Sequence, residues 1–324
     1  MIGYAQLRPG HGFSWRSAVP YYLQRLVTPR GLRGTVSRGL AAAIRMRHGA
    51  GPGGPAGACV AAALAGLDAE GLATTEDLLP ADAIRSMLDF FRRQRLIGPG
   101  GQPMALEDLP PGTGMAAYPL HTVVACPGLM EAINAPDVLR IAAGYLGCVP
   151  TISSLGVRWS FPSSGQAVGS LSARPDQTQL LHRDPDDWRF LKLFVYLTDV
   201  GPEDGPHVYV LGSHKTAADL RARPFELGAA ERAYGAGSIR TVTGRAGTTF
   251  LADTHGIHMG TPPRAMPRLI LQVQYSLLPV FAFRYAPVAA ALPAHLDAYT
   301  NRLMVARPAE AGPDGVPAGA RGAD

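Results

Sequence analysis

Residues 177–200 read QTQLLHRDPDDWRFLKLFVYLTDV. Two runs rich in apolar and aromatic residues flank a polar turn that contains Pro185. Short runs of this kind, bounded by Gly, Pro and Asp, predict β-strands. The same texture extends outward through VRWSF (157–161), HVYVL (207–211), SIRTVT (238–243), GTTFL (247–251) and PRLILQVQYSLL (267–278), with turns such as GPEDGP (201–206) between them. Before Pro150 the pattern is helical. In residues 80–98 Ile84, Met87, Leu88 and Phe91 recur at helical spacing, with Asp82 as the expected cap and Gly98 as the expected stop. Residues 136–147 open on a proline and close on a glycine, as helices do. Helices first and many short strands after predict a mainly β fold with peripheral helices, a sandwich or barrel.

Composition bounds the rest. A chain of 324 residues is near the size at which one core begins to split into two. Hydrophobic residues at 47% and charged residues at 17% describe a globular protein, and 38 Gly with 29 Pro imply many turns. No Asp or Glu occurs in residues 1–67, whereas arginine recurs at Arg8, Arg16, Arg25, Arg30, Arg33, Arg38, Arg45 and Arg47. Lysine occurs only at Lys192 and Lys215, a skew that with the abundant Ala and Gly points to GC-rich coding rather than to nucleic-acid binding. Cys59, Cys126 and Cys148 form no Cys-x-x-Cys pair, which predicts neither a disulfide framework nor a zinc knuckle and fits a reducing cytoplasm. The opening residues lack the apolar stretch of an export signal. Ala58–Leu67 is too short to cross a bilayer and reads as a buried helix, so no membrane partner is expected.

Three zones follow: an Arg-rich, partly flexible extension over 1–57, a body over 58–306 with a barrel core at about 151–280, and a tail over 307–324 expected to be disordered.

The chemistry gathers in the second half. Residues two apart on a strand face one way, so His182 and Asp184 can aim at one ion if extended backbone persists to Asp184, and Pro185 favours that. Alone, His-x-Asp is an ordinary surface pair. A second imidazole must come from FLADTHGIHMGTPPRAMPRLILQVQYSL (250–277), which offers His255 with Arg264 or His258 with Arg268. Arg268 opens an alternating strand whose polar face continues through Ile270, Gln272 and Gln274, while Leu269, Leu271, Val273 and Tyr275 form the other. Arg264 sits in a proline-flanked turn and reads as solvated. His258 with Arg268 is the better pair, leaving His255 as a supporting or surface residue. Two imidazoles and one carboxylate hold Fe(II) on one face and leave three positions open. An arginine fork suits the far carboxylate of a dicarboxylate cosubstrate.

Residues 179–215, QLLHRDPDDWRFLKLFVYLTDVGPEDGPHVYVLGSHK, together with DTHGIHMGTPPRAMPRLILQVQYS (253–276), resemble the phytanoyl-CoA dioxygenase-like branch of the Fe(II)/2-oxoglutarate oxygenases. The resemblance covers roughly residues 155–278, and GPHVYVLGSHK is similar to that family's Gly-Ser-His turn. It implies a double-stranded β-helix, a jelly-roll, cupin-like barrel. It also implies His182, Asp184 and His258 as the iron ligands and catalytic centre, with Arg268 on the C5 carboxylate of 2-oxoglutarate. Fe(II), 2-oxoglutarate and O2 would then support hydroxylation of an unactivated C–H bond with release of succinate and CO2. Asp184 argues against halogenation, which needs the carboxylate's position for chloride.

Lys192, on one strand face with Phe194 and Tyr196, and Gln179 are read as further cosubstrate contacts, each balanced against a structural role. His214 reads as a turn or entrance residue, His207 as structural, and Trp159, Phe161 and Trp188 as core or pocket lining. The expected partner is a small molecule, one of specialised metabolism. Arg174 and the Arg-rich extension could greet an anionic substrate as readily as water. The rival readings are a non-catalytic jelly-roll that binds a small molecule or partner, and a zinc hydrolase, which leaves Arg268 unexplained.

Overall fold

The computed structural model describes residues 15–27, 29–54, 57–75, 78–162, 180–216, 227–281 and 283–306. Gln179, Arg174 and the tail 307–324 lie outside them. The helix-rich half carries α1 (Trp15–Leu26), α2 (Arg30–His48), α3 (Ala58–Ala69), α4 (Ala81–Arg92), α5 (Leu120–Val124), α6 (Leu129–Ile133) and α7 (Pro136–Leu146). Interleaved with them are β1 (Leu72–Thr75), β2 (Leu96–Ile97), β3 (Pro103–Met104) and β4 (Met115–Ala117). The strand-rich half carries β5 (Thr151–Ser160), β6 (Phe190–Tyr196), β7 (His207–Val210), β8 (Ile239–Val242), β9 (Thr249–Ala252), β10 (His258–Gly260) and β11 (Arg268–Ser276). α8 (Leu227–Tyr234) lies between β7 and β8, and β12 (Val288–Ala289), α9 (Ala298–Asn301) and β13 (Val305–Ala306) follow.

Local signals place most of these elements. Pro136 opens α7, and Gly147 at φ 86° closes it in the left-handed conformation that glycine tolerates. α4 buries Ile84, Met87 and Phe91, as the spacing predicts. Its boundaries differ from expectation: Pro80 is the cap, Asp82 lies in the first turn, and the helix stops at Arg92 because Leu96–Ile97 is drawn into the sheet well before Gly98. α3 buries Val60, Ala63 and Leu67 along one stripe and leaves its other side exposed, so it is half-buried rather than interior. α2, within the Arg-rich segment, buries Ala41 and Ile44 in the same core as α7 and β11.

Eight strands pair in the order β1-β9-β6-β11-β5-β4-β2-β3, and a second sheet has the order β10-β7-β8. β11 is the spine of the larger sheet, antiparallel to β5 on one side and β6 on the other. Its alternation sorts the two faces. Leu269, Leu271, Val273 and Tyr275 enter the core shared with α3 and α7. Ile270 turns to the opposite face with Phe194, Tyr196 and Phe250, where it meets Tyr209 and Val242 of the smaller sheet. The two sheets thus enclose an inner compartment. Both stay open at their edges, so the double-stranded β-helix is a pair of facing sheets and not the closed barrel the strand pattern invites. Leu271 is fully buried at the junction of helices and sheet. Leu271→Ala is expected to lower the unfolding free energy by about 2–5 kcal/mol, read from urea denaturation.

Candidate metal centre

The expected pair His182 and Asp184 leaves the chain just before β6, and its partner His258 opens β10. Backbone bonds set their spacing: the His182 amide donates to the His258 carbonyl and the His258 amide to the His182 carbonyl, each at 2.9 Å. The Asp184 amide donates to Thr254 O at 2.9 Å, which ties the carboxylate's own backbone to the loop before His258. The imidazole rings come to 4.3 Å between centroids. His182 Nε2 lies 3.4 Å from Asp184 Oδ1 and His258 Nε2 lies 3.3 Å from Asp184 Oδ2.

One ligand atom from each of these three residues falls within 4.8 Å of the others, and they are the only such His/Cys/Asp/Glu cluster among the described residues. Both rings are pinned from behind. His182 Nδ1 is 2.6 Å from the Leu180 carbonyl and His258 Nδ1 is 3.0 Å from the Gly256 carbonyl. A carbonyl only accepts, so each Nδ1 carries the hydrogen and each Nε2 presents a lone pair to the cluster. Two neutral imidazoles and a carboxylate, oriented in this way before any ion arrives, fit a divalent iron site.

Charge around the cluster agrees. Asp184 is buried, which opposes ionisation, but the Lys192 ammonium beside it holds its carboxyl well below the usual range. Lys192 Nζ sits 2.6 Å from Asp184 Oδ2 and 3.4 Å from Asp186 Oδ2. Burial works against the Lys192 charge, and those two carboxylates outweigh it and raise its pKa. Burial lowers the pKa of His258, reinforced by His182, which keeps the ring neutral and able to ligate.

Arg268 reaches the inner compartment from the start of β11 and is 3% exposed. Its Nη2 donates to Ser160 Oγ at 3.3 Å, whereas Nε and Nη1 are buried without a partner. Burial lowers its pKa to about 10, leaving it charged near neutral pH. Gly260, at the end of β10, lies under the guanidinium: a Cβ there would meet Nη2 at 3.2 Å. A buried cation with two idle donors is a receptor for an anion. Arg264, by contrast, is exposed and pairs loosely with Glu203 at 3.6 Å.

His255 is not a ligand in this arrangement. Its Nδ1 donates to the backbone carbonyl of Asp184 at 3.1 Å, its amide is held by Asp253 Oδ1 at 3.0 Å, and Asp253 also accepts from Tyr145 of α7. A chain of contacts thus runs from a peripheral helix to the back of the metal carboxylate. Sequence reading missed this chain, and also Asp187, whose carboxylate accepts from the Trp188 and Leu278 amides and from Gln24 of α1. Arg33 of α2 donates to the Gln24 carbonyl and, at 2.9 Å, to the Asp187 carbonyl. Only the run DPDD signalled that this turn would be carboxylate-rich.

Among the other expected positions, Trp159 is core and donates to Tyr118 Oη at 3.0 Å, with Phe161 stacked on it. Trp188 and His214 line a cavity of about 550 Å³ beside α2.

Residues 156–265 match the family model of phytanoyl-CoA dioxygenase, a span that holds His182, Asp184 and His258 and ends just before Arg268. No curated protein matches the chain. Similar solved structures include EctD from S. alaskensis with bound Fe, at 17% identity and TM-score 0.46 over 75% of this chain and 86% of that one. HygX from Streptomyces hygroscopicus with nickel and 2-oxoglutarate bound is 20% identical, with TM-score 0.44 over 72% and 92%. AviO1 from Streptomyces viridochromogenes Tue57 is 16% identical, with TM-score 0.43 over 69% and 96%. The domain at residues 156–265 is thus phytanoyl-CoA dioxygenase-like, and the cluster it holds suits an Fe(II)- and 2-oxoglutarate-dependent oxygenase.

Proposed function

We infer that this oxygenase hydroxylates an unactivated C–H bond of a small organic molecule, with iron held by His182, Asp184 and His258 and the far carboxylate of 2-oxoglutarate held by Arg268. The observation that carries the assignment is the three-ligand cluster with both imidazoles tied back through Nδ1. Bound iron supplies the redox chemistry, coupling decarboxylation of 2-oxoglutarate to succinate and CO2 with transfer of one atom of O2 into the substrate.

The chain's own residues do the rest. Asp184 stays ionised because the Lys192 ammonium favours its charge. Lys192 balances Asp184 and Asp186, and once a cation shares the Asp184 carboxylate its ammonium is available as a second contact for the cosubstrate. Gln179 is proposed for the same compartment. The inner walls of Phe194, Tyr196, Phe250 and Ile270 exclude water from it.

The proposed substrate is a small molecule; the cavity of about 550 Å³ lies beside the centre and is lined by none of His182, Asp184, His258 and Arg268. Arg30, Arg38 and Arg189 line it together with Asp68 and Asp253, and Trp188 adds an aromatic wall. It adjoins the centre through His255, whose ring holds the Asp184 carbonyl. Cys59, Cys126 and Cys148 are free thiols, which supports a cytoplasmic enzyme, and among the described residues no helix is long and apolar enough to cross a membrane; the substrate is proposed to be one of specialised metabolism.

Anaerobic addition of Fe(II) and 2-oxoglutarate should produce a weak visible charge-transfer band. Under air, the substrate should stimulate succinate release. Binding of small molecules with no band and no succinate would leave the chain a non-catalytic β-sandwich.

A further inference from the structure

His207 lies across the smaller sheet from Gly260 and beside the ring of His258. On β10, His258 and Gly260 face the same side, and their cross-strand partners on β7 are Tyr209 and His207. Gly260 is the residue over which the Arg268 guanidinium lies, so His207 stands directly opposite the floor of that anion receptor. Its ring is 5.5 Å from the His258 ring and nearly parallel to it, at 23°. Phe194 and Phe250 close its other sides, at 4.8 and 5.1 Å between centroids.

A histidine enclosed by two phenylalanines would be a packing residue if its nitrogens were satisfied. His207 is 4% exposed, and its Nε2 is buried with no hydrogen-bond partner. Buried polar atoms without partners are rare in folded proteins and mark places where something else binds. Three such atoms, His207 Nε2 with Arg268 Nε and Nη1, belong to side chains that flank one glycine. Arg268 brings charge and a fork. His207 adds an uncharged N–H from the opposite sheet.

We propose that His207 is a further cosubstrate-binding residue, donating Nε2–H to the same 2-oxoglutarate carboxylate that Arg268 pairs with. The proposal rests on the oxygenase reading above. It extends that reading to a position that strand pattern alone assigns to packing.

Calorimetric titration of the nickel-loaded full chain with 2-oxoglutarate tests it without turnover. His207→Phe keeps the aromatic packing and removes the donor, and it should weaken 2-oxoglutarate binding by roughly 10- to 100-fold. His207→Gln restores a donor and should recover most of that loss. Pyruvate, a 2-oxo acid that lacks the far carboxylate, should bind wild type and His207→Phe equally. Nickel affinity should stay the same in both variants. Unchanged 2-oxoglutarate affinity in His207→Phe would overturn the proposal, as would an equal loss for pyruvate. A wild type that takes up nickel but not 2-oxoglutarate would instead overturn the oxygenase reading.

Discussion

His258→Ala is expected to abolish the charge-transfer band and succinate release, whereas His255→Ala retains both. The two histidines are three positions apart, but they meet different groups of Asp184. His258 Nε2 points at the Asp184 carboxylate. His255 Nδ1 points at the Asp184 carbonyl. Loss of a ligand leaves one imidazole and one carboxylate, too few to fix iron with a facial opening. Loss of His255 removes support for a ligand, and supporting contacts around metal sites carry about 10- to 100-fold in affinity or activity. His255→Ala should therefore need more Fe(II) for the same band. A band that survives His258→Ala and vanishes in His255→Ala would reassign the third ligand.

Arg268→Ala should have the second-largest effect. The guanidinium lies over the Gly260 floor, and its partnerless Nε and Nη1 are the donors a carboxylate would take. Removing one member of a buried, hydrogen-bonded charge pair costs about 2–5 kcal/mol, which is roughly 30-fold or more in 2-oxoglutarate affinity. Iron affinity should change little, because no ligand atom touches Arg268. Arg268→Lys should recover only part of the loss, since an ammonium cannot reproduce the two-pronged fork. Full 2-oxoglutarate affinity in Arg268→Ala would remove the cosubstrate assignment.

Much of this was legible in the chain. The alternation at 268–276 shows which face of β11 is polar, and the register with β6 bears this out by placing Gln274 beside Lys192 and Gln272 beside Phe194. Pro185 after the His-x-Asp indicates extended backbone at Asp184. What the chain could not show depends on pairing between distant segments. Gly260 reads as a turn glycine until the strand register places Arg268 over it. His207 and Tyr209 look like any alternating pair until β10 is laid beside them. Lys192 belongs to an apolar run, and only the return of the 184–187 turn over β6 reveals the carboxylates it serves. The arginines of residues 1–57 looked like a compositional skew, yet Arg33 is buried and fastens α2 to the turn at Asp187 and Trp188.

The reciprocal amide bonds between His182 and His258 make the separation of the two imidazoles a property of strand pairing. Iron is then a passenger of the folded chain rather than its keystone, unlike the ion of a zinc finger. A chelator should strip activity and lower the melting temperature only by the lost binding, leaving the chain folded, and replenishing ferrous salt should revive the same molecules without refolding.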